Sequence, residues 1–419
     1  MTQGGTNLPR VGGYNQAVIL DAIRTAGPVS RVELAPLTGL TSQTVSNVVR
    51  RLLAAGLITE SGHAPSSGGK RRTLLSPRAD GAFAVGVQLD PDAAVIVVVD
   101  LAGEVLASRR VALADSAEPA DVVARVAAAA RRLTARTRVD PARLLGTGIA
   151  TPGPIDGTAG EVVHPPNFPR WGRVPLLEMF GAATGMPVAM DNDATAAAIG
   201  ERWIGGRARA GSFLFLYLGT GIGAGIVLNN TVLHGDSSNA GEFGHMAVEP
   251  GERTCHCGGT NCLGPYVSPS AVLADLLARY GSSAAERIGL TCAADPARVE
   301  ESAHADWKLL CRAARRGDRA ACDVVRTAAA RIGQAARGAV ALLDVERVVL
   351  GGEALRGIED IMCEEVEAAV NTTSVTRVIR RVAVERSVIG EAVGAVGAAS
   401  LVLHGTYAPG WRMLTQPRG

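Results

Sequence analysis

The strongest constraint on the fold is a strand pattern that occurs twice along the 419-residue chain. Three apolar strands in hairpin order, FAVGVQLD, AAVIVVVD and GEVLASRRV, begin at Phe83 and precede an alanine-rich helix and a further strand. A similar series, FLFLYLG, AGIVLNN and TVLHG, begins at Phe213 and precedes long helices. Because apolar sheets must be covered by helices, each series predicts an α/β layer. Together they predict two related α/β lobes with a ligand cleft between them.

The charge is distributed unevenly between the start and the rest of the chain. Residues 1–80 hold nine lysines and arginines against four acidic residues, although the whole chain has a net charge of only +2. This pattern is typical of a small nucleic-acid-binding head on a nearly neutral body, although solvated surface charge explains a weak excess equally well. We find no apolar run of bilayer length and no signal peptide, so we expect a cytoplasmic protein without a membrane partner.

The basic head has the periodicity of a winged helix-turn-helix. We predict helices over 14–26, 30–38 and 41–55, each followed by glycine, with a capping box at Ser30 and Glu33. GLITESG and RRTLLSP then predict a two-stranded wing around a polar tip. Pro36 lies inside the second helix and should kink or shorten it. The alternative is an ordinary helical hairpin with a solvated basic loop.

If the head is a winged helix-turn-helix, its third helix enters the major groove and its wing follows the DNA backbone. Polar side chains of the third helix would contact base edges and phosphates, and the basic wing tip would contact phosphates or the minor groove. The predicted DNA-binding residues are Ser42, Gln43, Thr44, Ser46, Asn47, Arg50, Lys70, Arg71 and Arg72.

A cysteine cluster, CHCGGTNC, predicts a metal site in the second half of the chain. Cys255, Cys257 and Cys262, with His245 ten residues upstream, supply three thiolates and one imidazole, the donor set of tetrahedral Zn²⁺. Four protein ligands leave no open position, so we predict a structural zinc ion that orders the loop around His245. The alternative is three free cysteines and a buried histidine.

The order of these motifs resembles the ROK family from Tyr14 to about Gly405. That family comprises bacterial repressors and sugar kinases built on a two-lobed, actin-like ATPase fold. The resemblance implies sugar contacts in the motifs PPNFPRW, DNDATAAAIGE and GEFGH, at Asn167, Asn192, Asp193, Glu242 and His245. Asp193 corresponds to the kinase base, which we expect to be vestigial here. A helix N-cap is the alternative role of Asp193. The family's glutamate after the last cysteine is replaced by Gly264, so one sugar contact is missing or is supplied elsewhere.

Two stretches resemble the phosphate loops of the family's kinases. The first, Asp-x-Gly-Gly-Thr in the kinases, reads GVQLDPDAA here. Gln88 replaces the aspartate, and Asp90, Pro91 and Asp92 replace the glycines and threonine. Proline has no N–H to donate, and two carboxylates repel a triphosphate, so this loop should not hold ATP. The second loop, Gly219, Thr220 and Gly221, is intact. We interpret it as vestigial, because glycines at a strand turn are also needed for packing.

These inferences combine into a DNA-binding transcriptional repressor that senses a sugar or sugar derivative. We predict a winged helix-turn-helix over 1–63, a wing and linker over 64–82, a first lobe over 83–195, a second over 196–405 and a tail over 406–419. The last helix should return to the first lobe. Operator DNA, a sugar effector and a second copy of the chain, as a homodimer or dimer of dimers, are the predicted partners. Alternatives are an active sugar kinase with a DNA-binding head, and a regulator that binds no small molecule.

Overall fold

The computed structural model describes residues 8–64, 71–113, 118–248, 252–372 and 378–408. The chain divides into two compact units, Met1–Ala210 with Gly394–Gly419, and Gly211–Val393. The predicted lobe boundary after residue 195 falls inside a helix that belongs wholly to the first unit. In the part of the chain that the structure describes, no helix is both long and apolar enough to span a bilayer.

The head has the predicted three helices and a small sheet. Its elements are α1 (Leu8–Ala26), β1 (Val29–Ser30), α2 (Arg31–Thr38), α3 (Ser42–Ala54), β2 (Ile58–His63) and β3 (Thr73–Pro77). The strands pair antiparallel in the order β1-β3-β2, which forms the wing. The Glu33 carboxylate accepts hydrogen bonds from the backbone N–H and the hydroxyl of Ser30, at 2.9 and 2.7 Å. Helix α2 is short and ends two residues after Pro36, at the left-handed Gly39.

The remainder of the first unit is built on one five-stranded sheet. Its elements are β4 (Phe83–Leu89), β5 (Ala93–Asp100), β6 (Val105–Ala112), α4 (Pro119–Thr137), β7 (Leu144–Thr151), β8 (Ile155–Asp156), β9 (Glu161–Val163), β10 (Arg173–Val174), α5 (Leu176–Thr184), β11 (Val188–Asn192) and α6 (Asp193–Gly205). The strand order is β11-β7-β4-β5-β6, with β4, β5 and β6 antiparallel and β7 parallel to β4 and β11. Strands β8 to β10 form a separate small antiparallel sheet.

The second unit repeats this plan. Its elements are β12 (Phe213–Leu218), β13 (Ile222–Leu228), β14 (Thr231–Val232), α7 (Gly264–Val267), α8 (Pro269–Ile288), α9 (Val299–Arg315), α10 (Arg319–Leu343), β15 (Arg347–Gly351), α11 (Glu359–Thr372) and β16 (Ala383–Arg386). The order β14-β13-β12-β15-β16 repeats the hairpin strands and the parallel pairings of the first sheet. The prediction of two related α/β lobes is therefore confirmed.

The last helix, α12 (Val393–Tyr407), belongs to the first unit from Gly394 onward. It packs directly on the sheet, since a Cβ on Gly86 would lie 1.9 Å from the Ala395 carbonyl oxygen and one on Gly148 would lie 1.7 Å from that of Ala398. Its apolar side chains are buried, as are Ala328, Ala329, Ala335, Ala336 and Ala339 of α10. Both apolar helix faces therefore form core within their own units.

Candidate functional site

The exposed face of α3 carries the predicted DNA contacts. Val45, Val48, Val49 and Leu52 are buried on the opposite face and hold the helix against the head. The exposed or half-exposed side chains are Ser42, Gln43, Thr44, Ser46, Asn47 and Arg50. Thr41 caps the helix by accepting from the Thr44 N–H at 3.3 Å, and Arg50 donates to the Asn47 side-chain oxygen at 3.3 Å. The arrangement presents a polar helix edge to solvent.

The wing, which follows α3 along the chain, carries basic side chains. Strands β2 and β3 pair from Ile58 with Pro77 to His63 with Thr73, and the Ala64 N–H donates to the Arg72 carbonyl at 2.9 Å. Arg71 and Arg72 are exposed. Lys70 lies outside the described residues.

In the first unit, three of the predicted sugar contacts lie on two segments. Strand β11 passes directly into α6, which places Asn192 at the N-cap and Asp193 in the first turn. The Ala194 N–H donates to Asn192 Oδ1 at 2.9 Å and to Asp193 Oδ1 at 2.7 Å. The capping role is thus held by Asn192, and both side chains are only half-buried. Asn167 lies in an exposed turn after β9.

In the second unit, the GEFGH motif forms a turn packed on β13. The Ala224 N–H donates to the Gly241 carbonyl at 2.8 Å, and a Cβ on Gly241 would lie 1.8 Å from the Ala224 oxygen. Only glycine fits this close approach, at a φ of +98°. The turn leaves Glu242 exposed and brings its carboxylate 3.9 Å from His245 Nε2. This distance is too long for a hydrogen bond, and it leaves both groups able to accept a ligand.

The structure brings the four predicted metal ligands together. The ligand atoms of His245, Cys255, Cys257 and Cys262 all lie within 4.8 Å of one another. His245 Nδ1 lies 3.5 Å from Cys255 Sγ, and Cys257 Sγ lies 3.5 Å from Cys262 Sγ. Tetrahedral Zn²⁺ separates two thiolate sulfurs by about 3.8 Å, and a sulfur from an imidazole nitrogen by about 3.6 Å. The donor set and its spacing fit such an ion.

The loop backbone forms this cluster by folding tightly around the sulfurs. The Cys255 N–H donates to the Gly259 carbonyl at 2.7 Å, and the Gly258 N–H to the Cys255 carbonyl at 2.8 Å. A Cβ on Gly259 would lie 3.1 Å from Cys262 Sγ, so a larger residue there would crowd the thiol. His256 is a further neighbour that sequence analysis did not single out, with its ring centroid 4.8 Å from that of His245.

The thiols have unequal proton affinities. A hydrogen bond from the Gly259 backbone, followed by those from the neighbouring thiols, lowers the pKa of Cys257 to about 7. Burial and the adjacent thiols raise the pKa of Cys262 to about 12. The Cys257 thiolate thus forms more easily than that of Cys262, and a bound divalent cation would favour the thiolate form of its cysteine ligands.

The turn between β4 and β5 is closed by its own side chains. The buried Gln88 donates from Nε2 to the Asp90 carboxylate at 2.7 Å, and the Asp90 N–H donates to the Ala93 carbonyl at 2.9 Å. Asp92 pairs with Arg110 at 2.8 Å. This turn therefore carries two carboxylates, each engaged by a neighbouring side chain.

The second glycine loop shows two kinds of glycine. A Cβ on Gly219 would lie 3.1 Å from the Tyr217 ring, and one on Gly352 would lie 2.1 Å from the Leu218 carbonyl oxygen. Packing requires glycine at position 352, which follows β15, whereas a Cβ at position 219 would only crowd the Tyr217 ring. Gly221 differs, because a Cβ there would meet nothing within 4 Å, and Thr220 is exposed beside it.

A buried ion-pair cluster joins α1 of the head to the end of α6, and sequence analysis missed it. Arg202 donates from Nη1 and Nη2 to the Asp21 carboxylate at 3.2 and 2.9 Å, and Arg24 donates to the same carboxylate at 2.6 Å. Arg24 also donates to the Arg202 carbonyl at 3.2 Å and to the Trp203 carbonyl, with its guanidinium 4.4 Å from the centre of the Trp203 ring. Charged residues far apart in sequence give no periodic signal.

The ROK family model matches residues 84–404, and a MarR family model matches residues 8–72. The chain belongs to the ROK family. The ROK match covers the strands of both sheets and the cysteine cluster, and the MarR match covers the head up to the wing.

Similar proteins include repressors over nearly the whole length. The chain is 26% identical to the xylose repressor of Caldicellulosiruptor bescii over 93% of this chain and 95% of that one. It is 27% identical to the DNA-binding transcriptional dual regulator NagC of Escherichia coli K12 over 96% of each chain. A solved ROK family transcriptional regulator, described as a homologue of the E. coli MLC protein, matches with a TM-score of 0.74 and 25% identity, over 95% of this chain and 97% of that one.

A solved sugar kinase matches the body alone. The ROK family glucokinase of Streptomyces griseus, in complex with glucose and AMPPNP, matches with a TM-score of 0.62 and 27% identity. It covers 76% of this chain and 99% of that one. The predicted combination of a winged helix-turn-helix with a two-lobed sugar-kinase fold is therefore confirmed.

Proposed function

We propose that this chain is a transcriptional repressor whose head binds operator DNA and whose body senses a sugar or sugar derivative without phosphorylating it. The observation that carries the proposal is a winged head, with the polar edge of α3 exposed, ahead of a kinase-like body whose β4–β5 turn is closed by carboxylates. The whole-length similarity to repressors supports it. Cytoplasmic location follows from operator binding and is part of the proposal.

The head would read DNA with two groups of side chains. Gln43, Ser46 and Asn47 lie on one polar edge of α3, and side chains of this length and chemistry hydrogen bond to base edges in the major groove. Arg71 and Arg72, with Lys70, would contact phosphates, which adds affinity without sequence preference. Two heads of a homodimer would bind half-sites about one helical turn apart, roughly 34 Å.

The predicted sugar contacts in each unit carry polar groups that suit a polyol. Asn167, Asn192 and Asp193 in the first unit offer two amides and a carboxylate, and Glu242 and His245 in the second offer a carboxylate and an imidazole. A carboxylate beside an amide can accept from one sugar hydroxyl and donate to its neighbour. Glycine at position 264 removes the family's additional carboxylate, which supports a ligand with fewer polar contacts on that side.

We infer that the ion at the cysteine cluster is Zn²⁺ and that its role is structural. His245 would bind it through Nδ1, which faces Cys255, while Nε2 faces Glu242. When bound, the ion would fix the orientation of His245 and order the GEFGH turn. Cys255, Cys257 and Cys262 would complete the coordination.

The geometry of the β4–β5 turn argues against kinase activity. The Asp90 and Asp92 carboxylates would repel the phosphates of ATP, and Gln88 is already engaged with Asp90. Gln88 is also neutral, so it cannot take over the role of the kinase aspartate. Gly352 is required by packing, so it gives no independent support for a bound nucleotide.

Calorimetric titration of the metal-loaded protein with xylose, glucose, N-acetylglucosamine, their phosphates and Mg-ATP tests the proposal. We expect binding of one sugar class and none of Mg-ATP. A duplex enriched from a random pool by the full chain should then change affinity when that sugar is added. ATP-dependent turnover that Asp193→Asn abolishes would overturn the proposal and make the chain a sugar kinase.

A further inference from the structure

We propose that α6 couples the sugar site to the DNA-binding head, and that Asp21, Arg24 and Arg202 are the positioning residues that make this connection. The inference rests on the proposed function, since it assigns a regulatory role to the same sugar site. It concerns the first unit alone, because α1, α6 and the residues that join them all belong to that unit.

The two ends of α6 have different partners. Its first residues, Asn192 at the cap and Asp193 in the first turn, are predicted sugar contacts. Its last turn, at Arg202 and Trp203, contacts α1 of the head. Thirteen residues at 1.5 Å each give a helix about 20 Å long between these ends.

The body of α6 is suited to move as one piece. All residues from Ala194 to Trp203 are buried, and α12 approaches so closely that a Cβ on Gly397 would lie 2.3 Å from the Ala196 carbonyl oxygen. Packed helices shift as units instead of deforming continuously. A displacement of the first turn by a bound sugar would therefore reach the last turn.

The contact between α6 and α1 is strong because it supplies hydrogen-bond donors to carbonyls at the C-terminal end of α6. The last four carbonyls of a helix have no partner within the helix, and a positive charge there is favourable. Arg24 donates to two of these carbonyls, on Arg202 and Trp203. The Arg24 side chain is only 7% exposed, and the Asp21 carboxylate pairs with both Arg24 and Arg202.

The junction also orients the head, because it fixes α1 in two directions. The Asp21 carboxylate accepts hydrogen bonds from Nη1 and Nη2 of Arg202, and the Arg24 guanidinium stacks on the Trp203 ring. Trp203 is in turn held by the bond from its Nε1 to the Leu101 carbonyl at 3.1 Å. Since α1 packs against α3, a shift of α6 would move the DNA-reading helix.

The test compares operator binding with and without sugar in wild type and Arg24→Met. Methionine keeps an apolar chain over Trp203 and leaves the Asp21–Arg202 pair in place. It removes the bonds from Arg24 to the α6 carbonyls and to Asp21. The probe is the duplex selected by the wild-type chain, and the sugar is whichever of xylose, glucose and N-acetylglucosamine binds in calorimetry. The readout is the ratio of the two DNA dissociation constants by fluorescence anisotropy.

We expect a ratio of about 5- to 150-fold in wild type, the usual range of coupling, and less than about twofold in Arg24→Met. Sugar affinity of the variant should stay within about threefold. Arg279→Met, which removes an exposed arginine paired with Asp323 in the second unit, should keep the wild-type ratio. A wild-type ratio in Arg24→Met would overturn the inference and leave the proposed function standing.

A charge exchange provides a second test. Arg202→Asp alone places two carboxylates together and should bring the ratio of the two DNA dissociation constants to about one. The double variant Asp21→Arg/Arg202→Asp restores one carboxylate between two arginines, and should recover at least half of the wild-type ratio on a logarithmic scale. Failure of the double variant to improve on Arg202→Asp would also overturn the inference. A wild-type chain that binds sugar without any change in DNA affinity would overturn the proposed function itself.

Discussion

Removing the charge of Asp21 should destabilise the first unit far more than removing the charge of an exposed aspartate. The Asp21 side chain is 18% exposed, and the side chains of its two partners, Arg24 and Arg202, are 7% and 6% exposed. Asp21→Asn would leave both positive charges buried without a counter-ion. Breaking a buried pair in this way costs about 3–5 kcal/mol, and the residual exposure of Asp21 favours the lower end.

We therefore expect a loss of about 3 kcal/mol, which corresponds to a fall in Tm of about 6–12 °C for a unit of this size. The matched control is Asp323→Asn, which breaks a pair whose side chains are 41% and 46% exposed. Such exposed pairs contribute about 0–1 kcal/mol. The assay is thermal unfolding followed by circular dichroism on both variants and the wild type.

The same comparison has a predictable pH dependence. Burial raises the pKa of Asp21, but the charges and hydrogen bonds of Arg24 and Arg202 lower it by more, so its folded pKa lies below the ordinary value of 3.8. The stabilisation is therefore complete above the unfolded pKa of about 4 and is lost as the pH falls through the folded pKa. The difference in Tm between wild type and Asp21→Asn should be constant from pH 7 to 5 and shrink below pH 4. Equal Tm values for the two variants at pH 7, or a difference that grows in acid, would refute the reasoning.

Three further predictions concern the metal, the head and the glycines. Elemental analysis should find about one bound cation per wild-type chain and much less than one in Cys257→Ser. Cys322→Ser, which lies outside the cluster, should keep the wild-type metal content. Equal metal content in the two variants would contradict the site. Gln43→Ala should reduce discrimination between selected and random DNA. Arg72→Ala should weaken binding to both DNAs alike and reduce the slope of log affinity against log salt concentration by about 0.9. Identical effects of the two substitutions would argue against separate roles. Gly148→Ala should lower the free energy of unfolding by about 3 kcal/mol or more, because its Cβ would overlap the Ala398 carbonyl. Gly221→Ala should leave the Tm unchanged. A stable Gly148→Ala chain would show that α12 can move away.

Much of the fold could be predicted because its signals are local. Helix periodicity, the Ser30–Glu33 capping box and the glycine stops predicted the three helices of the head, which the structure has in the same order. The first of them begins at Leu8, six residues before the predicted start. The apolar hairpin strands predicted both sheets, because their pattern depends on neighbours along the chain.

The candidate site could be predicted in part, and for different reasons. The metal ligands lie within eighteen residues of one another, so their spacing predicted a cluster that the structure brings together. The sugar contacts depended on resemblance to a family, since an isolated Asn or Asp has many uses. Resemblance also drew attention to the β4–β5 turn, where the structure pairs Asp90 with Gln88 and Asp92 with Arg110.

The amino-acid sequence by itself determined the order of the domains, the repeated sheet and the ligands of the metal site, because each depends on residues close together in the chain. Only the tertiary structure decided that the apolar faces of α10 and α12 are buried within their own units, since burial depends on what packs against a helix. Only the tertiary structure joined Asp21 to Arg202 across about 180 residues. Such a pair forms because desolvated charges must find partners in three dimensions, and no local pattern reports which partner they find.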